Sequence, residues 1–113
     1  MTMDWWDDLW LNEGFASYYE LKGVYLINEP ETDEFGPIDT QILDLTQSAM
    51  VYDITPATHP IHYTASTENG LNVRFTRIVY QKAGAVIRMM EAALGESVWK
   101  AGLVHYLKKL LVS

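Results

Sequence analysis

A tryptophan-rich segment at residues 5–16 surrounds one glutamate, Glu13, and reads Trp-Trp-Asp-Asp-Leu-Trp-Leu-Asn-Glu-Gly-Phe-Ala. On a helix, the positions three and four residues before and after Glu13 form a mostly apolar face, made of Leu9, Trp10, Ala16 and Ser17. An ionised carboxylate on such a face is costly without a partner, so a metal ion, a cation or a proton is expected to neutralise it. An ordinary, partly exposed helical glutamate is the alternative.

Composition limits the classes of protein and site that the chain can form. Its 113 residues are 49% hydrophobic, which suits one small domain or part of a larger one. Cysteine is absent, so disulfides and thiolate metal sites are excluded, and any metal site must use histidines and carboxylates. Charged residues such as Lys22, Arg88 and Lys100 interrupt every hydrophobic stretch, so no transmembrane segment is predicted.

Charge is divided unevenly along the chain. Residues 1–53 carry twelve acidic residues and one basic residue, Lys22, whereas residues 54–113 carry three acidic and seven basic residues. The two halves could attract each other, or the acidic half could form a cleft that favours cationic groups such as peptide α-amines; a solvated surface is the alternative. Nucleic acid is not predicted as a partner, because no basic cluster alternates with aromatic residues.

Apolar periodicity, glycines and prolines predict an all-α fold of about four helices. The predicted helices cover about residues 6–22, ended by Gly23; Pro37 to just before Pro56; 78–94, ended by Gly95; and 97–110. Residues 28–37 and 53–70 are predicted loops. Gly14 lies inside the first helix, where glycine costs about 1 kcal/mol relative to alanine. We therefore expect another backbone or a ligand close beside Glu13.

The segment from Met3 to Ala16 closely resembles the aminopeptidase N (membrane alanyl aminopeptidase) family of gluzincin zinc metallopeptidases. Residues 58–61, which read Thr-His-Pro-Ile, and residues 75–89 are similar to later blocks of that family, in the same order and with similar spacing. The resemblance covers essentially the whole chain. It implies that residues 1–113 are a single fragment of the catalytic domain, from the helical part of a thermolysin-like zinc peptidase.

The same resemblance implies roles for individual residues. Glu13 matches the family's third zinc ligand, and Tyr80 matches the tyrosine that donates a hydrogen bond to the oxyanion formed at the scissile carbonyl. Glu20, two turns beyond Glu13, is a weaker candidate for a group that orients a zinc ligand. The residues alone favour a core tyrosine at position 80 and an exposed, paired glutamate at position 20, and only the resemblance favours a chemical role for Tyr80. After Lys82 the chain reads Ala-Gly-Ala, where the family commonly has Gly-Ala.

The activity implied by the resemblance is zinc-dependent removal of N-terminal residues from peptides that have a free N-terminus. The full-length enzyme would use one Zn²⁺ ion, bound by two histidines and Glu13. The chain lacks the H-E-x-x-H motif that supplies those histidines, and also the family's Gly-x-Met-Glu-Asn segment. We expect the zinc motif to lie upstream of Met1. The chain alone is then inactive, and the rest of its catalytic domain is its partner.

The remaining histidines are not predicted to bind metal. His59 and His62 lie on either side of Pro60 in a predicted loop, where histidines are mostly solvated, and His105 lies on the last predicted helix. The resemblance implies a location at the cell surface, on the extracellular face of the plasma membrane, or in the cytoplasm. The alternative function is a non-catalytic helical interaction module, in which Glu13 and Tyr80 are structural and the acidic half binds a partner.

Overall fold

A computed structural model describes residues 6–27, 37–62 and 75–112. Regular structure within these ranges is entirely helical and forms four stretches, which confirms the predicted all-α class. The first stretch is a 3₁₀ turn, Trp6–Asp8, followed by α1, Leu9–Ile27. The second is α2, Pro37–Gln41, a π-helical turn, Ile42–Gln47, and α3, Ser48–Asp53. The third is a π-helical turn, Ile78–Lys82, that leads into α4, Ala83–Leu94, and the fourth is α5, Glu96–Val112.

Two glycines behave differently from each other at the predicted helix ends. Gly95 adopts φ of 82° and ends α4, as predicted, because only a residue without a Cβ takes this left-handed conformation readily. Gly23 has no positive φ, and α1 continues through it to Ile27, so the predicted end of the first helix was wrong. The irregular segment after Asp53 agrees with the second predicted loop as far as residue 62. Residues 28–36 of the first predicted loop and residues 63–70 of the second lie outside the described ranges.

The core forms where α1 packs on α4 and on the π-helical turn that precedes α4. Ile78 and Ile87 are the largest fully buried side chains. The other buried apolar residues are Leu9, Tyr18, Leu45, Ala49, Val79, Ala83, Ala85 and Trp99. Full burial of a large apolar side chain contributes about 1.5–3 kcal/mol, so these residues stabilise the packing of the other helices around α4.

Small residues let the helices approach closely at two points. A Cβ added at Gly14 would lie 2.7 Å from the Cβ of Ala83, so the close approach expected beside Glu13 is made by α4. A Cβ added at Gly84 would lie 3.0 Å from Leu45 Cδ2 and 3.5 Å from Ser17 Cβ. The Ala-Gly-Ala run therefore places small side chains at both crossings.

Helix α5 packs through its N-terminal half. Trp99 is buried, its indole N–H donates to the Tyr19 hydroxyl at 3.0 Å, and its ring stacks on Phe15 with centroids 6.0 Å apart. Further along the helix, Tyr106 and Leu107 are 42% and 45% exposed. Within the described part of the chain, the apolar side chains of this helix are therefore covered mainly in its first half.

Candidate active site

Glu13 lies in the second turn of α1 and is half-buried. The next residue, Gly14, is the point where α1 touches Ala83 of α4. The backbone position of a residue beside such a close contact is fixed, because neither helix can slide along the other without a clash. Glu13 thus projects from one of the most constrained positions of the fold.

Tyr80 lies in the π-helical turn Ile78–Lys82, directly before α4. The backbone N–H groups of Val79 and Tyr80 both donate to the carbonyl oxygen of Thr76, at 3.0 and 3.3 Å. Turns of this kind are rare and occur frequently at functional sites, since the extra residue redirects the side chains that follow. Apolar periodicity gave no signal for this turn.

Glu13 and Tyr80 are coupled electrostatically. Burial raises the pKa of the Tyr80 hydroxyl, and the negative charge of Glu13 raises it further. The charge of Glu13 therefore acts on the hydroxyl of Tyr80, the other residue for which the family resemblance implied a chemical role. A tyrosine with a raised pKa stays protonated at neutral pH, so Tyr80 can donate a hydrogen bond to an oxygen that develops negative charge.

The described residues do not form a complete zinc site. In residues 6–27, 37–62 and 75–112, no three histidine, aspartate or glutamate side chains cluster in a way that could hold a metal ion. A catalytic zinc ion normally takes three protein ligands.

The weaker candidate and two of the histidines lie on the surface. Glu20 is exposed on α1, and His105 is exposed on α5. His62 is also exposed, with its Nδ1 atom 3.6 Å from the Asp8 carboxylate, which is partly exposed. Within the described ranges, none of these three residues belongs to a cluster of three side chains that could hold a metal ion.

His59 differs from the solvated histidine that was expected. Its ring is half-buried, and its Nε2 atom lies 2.7 Å from the hydroxyl oxygen of Thr76. It also lines a small, mostly apolar pocket together with Trp6, Trp10 and Val79. Sequence reasoning missed this residue because its partner is 17 positions away, outside any local motif.

A charged contact joins α3 to the π-helical turn that carries Tyr80. Lys82 Nζ lies 2.7 Å from the carboxylate of Asp53, and the Thr58 hydroxyl donates to the same carboxylate. The hydrogen bond from Lys82, and then that from Thr58, lower the pKa of Asp53 below its ordinary value. This pair connects the acidic half of the chain to the basic half, in the direction that the charge distribution suggested.

A second polar cluster joins α1 to α4. Glu91 is buried, accepts a hydrogen bond from the Tyr18 hydroxyl, and lies 2.6 Å from Lys22 Nζ. Burial of Tyr18, followed by its hydrogen bond to Glu91, raises the pKa of the tyrosine. Burial of the Lys22 ammonium acts to lower its pKa, but the hydrogen bond to Glu91 and the charge of Glu91 outweigh it and raise the pKa. The cluster fixes the two helices relative to each other beyond the Gly14 crossing.

None of the helices in the described ranges combines the length and apolar character needed to cross a bilayer.

Comparison with known proteins identifies the family. Residues 1–112 match the Peptidase family M1 domain. The chain is 38% identical over 113 residues to "Probable aminopeptidase 1" of Sulfurisphaera tokodaii, covering 100% of this chain and 14% of that protein. It is 35% identical over 113 residues to "Leucyl aminopeptidase" of Saccharolobus solfataricus, covering 100% and 14%. It is 38% identical over 109 residues to human "Glutamyl aminopeptidase", covering 96% and 11%.

The chain thus spans between 11% and 14% of the length of these curated relatives. The match extends over all three described ranges, and it includes both the tryptophan-rich segment around Glu13 and the block around Tyr80. The chain belongs to the M1 peptidase family.

Proposed function

We propose that residues 1–113 are part of the catalytic domain of a zinc metalloaminopeptidase, a hydrolase that removes N-terminal residues from peptides and so acts in peptide catabolism. Glu13 supplies one zinc ligand, and Tyr80 stabilises the oxyanion. One observation supports this assignment most strongly. In a chain of the M1 peptidase family, the Glu13 charge contributes to the raised pKa of Tyr80, as expected for two groups that face one reaction centre.

Glu13 and Tyr80 have separate roles in the proposed reaction. The Glu13 carboxylate acts as one zinc ligand, and two histidines from the rest of the catalytic domain complete the set. Bound zinc supplies Lewis-acid polarisation of the scissile carbonyl and a water of lowered pKa. Tyr80 donates its hydroxyl proton in a hydrogen bond to the oxygen that becomes negative, and removing one such donor commonly costs about 3–4 kcal/mol of transition-state stabilisation.

The proposed function also includes the substrates, the partner of this chain and a role for Glu20. Its substrates are peptides with a free N-terminus, the partner of this chain is the remainder of its own catalytic domain, and Glu20 orients a zinc ligand through a hydrogen bond. For the location of the whole protein we keep both alternatives that the family resemblance implies, the cell surface and the cytoplasm.

A chimeric enzyme tests the proposal. The segment of the Saccharolobus solfataricus relative that matches this chain, 14% of that protein, is replaced by residues 1–113. We expect the chimera to hydrolyse leucine p-nitroanilide and to lose this activity on zinc chelation. Glu13→Gln and Tyr80→Phe should each lower kcat/KM by about a hundredfold or more.

Two substitutions serve as matched controls. Glu96→Gln and Tyr106→Phe change the same residue types at exposed positions of α5, and both should leave kcat/KM within about twofold. If Glu13→Gln and Tyr80→Phe were equally harmless, the proposed roles would be wrong. A folded chimera with native circular dichroism but without activity would favour the helical interaction module instead.

A further inference from the structure

We propose that His59 is a positioning residue for Tyr80, acting through Thr76, and that the segment formed by residues 53–62 holds the π-helical turn that carries Tyr80 through contacts just before the turn and at its last residue. The inference rests on the proposed role of Tyr80 as the oxyanion donor. It adds a second layer of residues that fix this donor in place.

The His59 ring makes a polar contact through each of its two nitrogen atoms. Its Nδ1 atom lies 2.9 Å from the carbonyl oxygen of Pro60, which can only accept, so Nδ1 carries the proton and donates. In the neutral ring Nε2 is then an acceptor, and the Thr76 hydroxyl, 2.7 Å away, donates to it. The imidazole is thereby engaged on both sides and holds the Thr76 side chain.

Backbone hydrogen bonds connect Thr76 to Tyr80. The carbonyl oxygen of Thr76 accepts the backbone N–H groups of Val79 and Tyr80, at 3.0 and 3.3 Å. It is therefore the acceptor for the beginning of the turn Ile78–Lys82. Holding the Thr76 side chain restricts the backbone of the same residue, and with it the direction in which Tyr80 leaves the helix.

The other end of the turn is also held by a side-chain contact. Lys82, its last residue, is bound to Asp53 at 2.7 Å, and Asp53 also accepts the hydroxyl of Thr58. The segment of residues 53–62 thus contacts Thr76 just before the turn, through His59, and Lys82 at its end, through Asp53. Together with the burial of Ile78 and Val79, these two contacts fix the position of Tyr80. An oxyanion donor must be placed within fractions of an ångström to act.

The test compares two substitutions at Thr76 in the chimeric enzyme. Thr76→Val keeps the shape and removes the hydroxyl, whereas Thr76→Ser keeps the hydroxyl. We expect Thr76→Val to lower kcat by about tenfold with KM nearly unchanged. The hydrogen bond from the Tyr80 hydroxyl forms only in the transition state, so its displacement weakens transition-state stabilisation and not substrate binding. Thr76→Ser should retain near-parental kcat. His59→Ala should resemble Thr76→Val, and the double substitution should add little, since both break one contact.

Hydrogen exchange supplies a readout that is independent of activity. Peptides that cover residues 76–82 should exchange faster in Thr76→Val, while a peptide that includes the Gly95 amide, bonded to Glu91 at 2.9 Å, should not change. Equal acceleration in both regions, or equal kcat for Thr76→Val and Thr76→Ser, would overturn the inference. Faster local exchange in an enzyme that tolerates Tyr80→Phe would instead leave the positioning intact and refute the proposed role of Tyr80.

Discussion

Gly14 packs directly against Ala83, and this contact determines where α1 crosses α4. A Cβ at residue 14 would lie 2.7 Å from the Ala83 Cβ and 3.0 Å from its carbonyl carbon. Glu13 precedes the contact by one residue, and Tyr80 precedes Ala83 within the same helical stretch. The separation of the two proposed active-site residues therefore depends on two very small side chains.

Gly14→Ala should destabilise the protein, because overpacking at a rigid helix crossing costs about 1–3 kcal/mol. Urea unfolding measures the loss. Adding Ala83→Gly should recover part of it, since this change removes the closest of the three clashing atoms. Gly102→Ala is the control, because nothing lies within 4 Å of a Cβ there and α5 should gain up to about 1 kcal/mol. Equal effects at the two glycines would show that the crossing is not tight.

Glu91→Ala should lower the free energy of unfolding by about 1–3 kcal/mol, since it leaves the Tyr18 hydroxyl and the Lys22 ammonium without their acceptor. Glu96→Ala changes an exposed glutamate five positions later and should cost at most about 0.5 kcal/mol. Denaturant titrations of the two variants compare them directly. A loss no larger for Glu91→Ala than for Glu96→Ala would mean that the buried cluster does not stabilise the packing of α1 on α4.

Alkaline pH should weaken the same cluster. The pKa of Tyr18 is raised in the folded state, so its contribution to stability is fully present below its ordinary pKa of 10.0 and is lost as the pH rises through the folded-state value. Stability should therefore fall from about pH 10 upward. In Tyr18→Phe the fall should be shallower, as measured by urea unfolding at several pH values. Parallel curves for the two proteins would exclude this source of pH dependence.

Glu13→Gln should lower the pKa of Tyr80, because it removes the negative charge that disfavours the phenolate; the part due to burial should remain. Carbon-13 labelling of the tyrosine ring, with Tyr80→Phe to assign its signal, follows the titration by NMR. Glu20→Gln, an exposed substitution on the same helix, should leave the pKa unchanged. If both substitutions had the same effect, Glu13 would not be the carboxylate that faces Tyr80.

Much of the fold follows from patterns that the chain carries locally. Gly14 signalled a close approach because a helix tolerates glycine poorly, and Gly95 signalled a helix end. Gly23 was misjudged because a glycine ends a helix only when the surrounding packing gives it a positive φ. For the site, the resemblance pointed to Glu13 and Tyr80.

The supports of Tyr80 could not be predicted in the same way. The contacts of His59 with Thr76 and of Asp53 with Lys82 join residues 17 and 29 positions apart. Pairs so distant are brought together by tertiary packing, which leaves no local spacing to recognise. The π-helical turn Ile78–Lys82 also could not be predicted, because its extra residue disturbs the apolar periodicity from which helices are predicted.

The zinc content of the purified chimera and its two variants tests the central claim most directly. Glu13→Gln should lose both zinc and activity, because loss of one of three ligands greatly weakens zinc binding. Tyr80→Phe should keep one zinc per molecule and lose only activity, since its hydroxyl acts on the oxyanion. A Glu13→Gln protein that retained stoichiometric zinc at an unchanged affinity would contradict the assignment of Glu13 as a ligand.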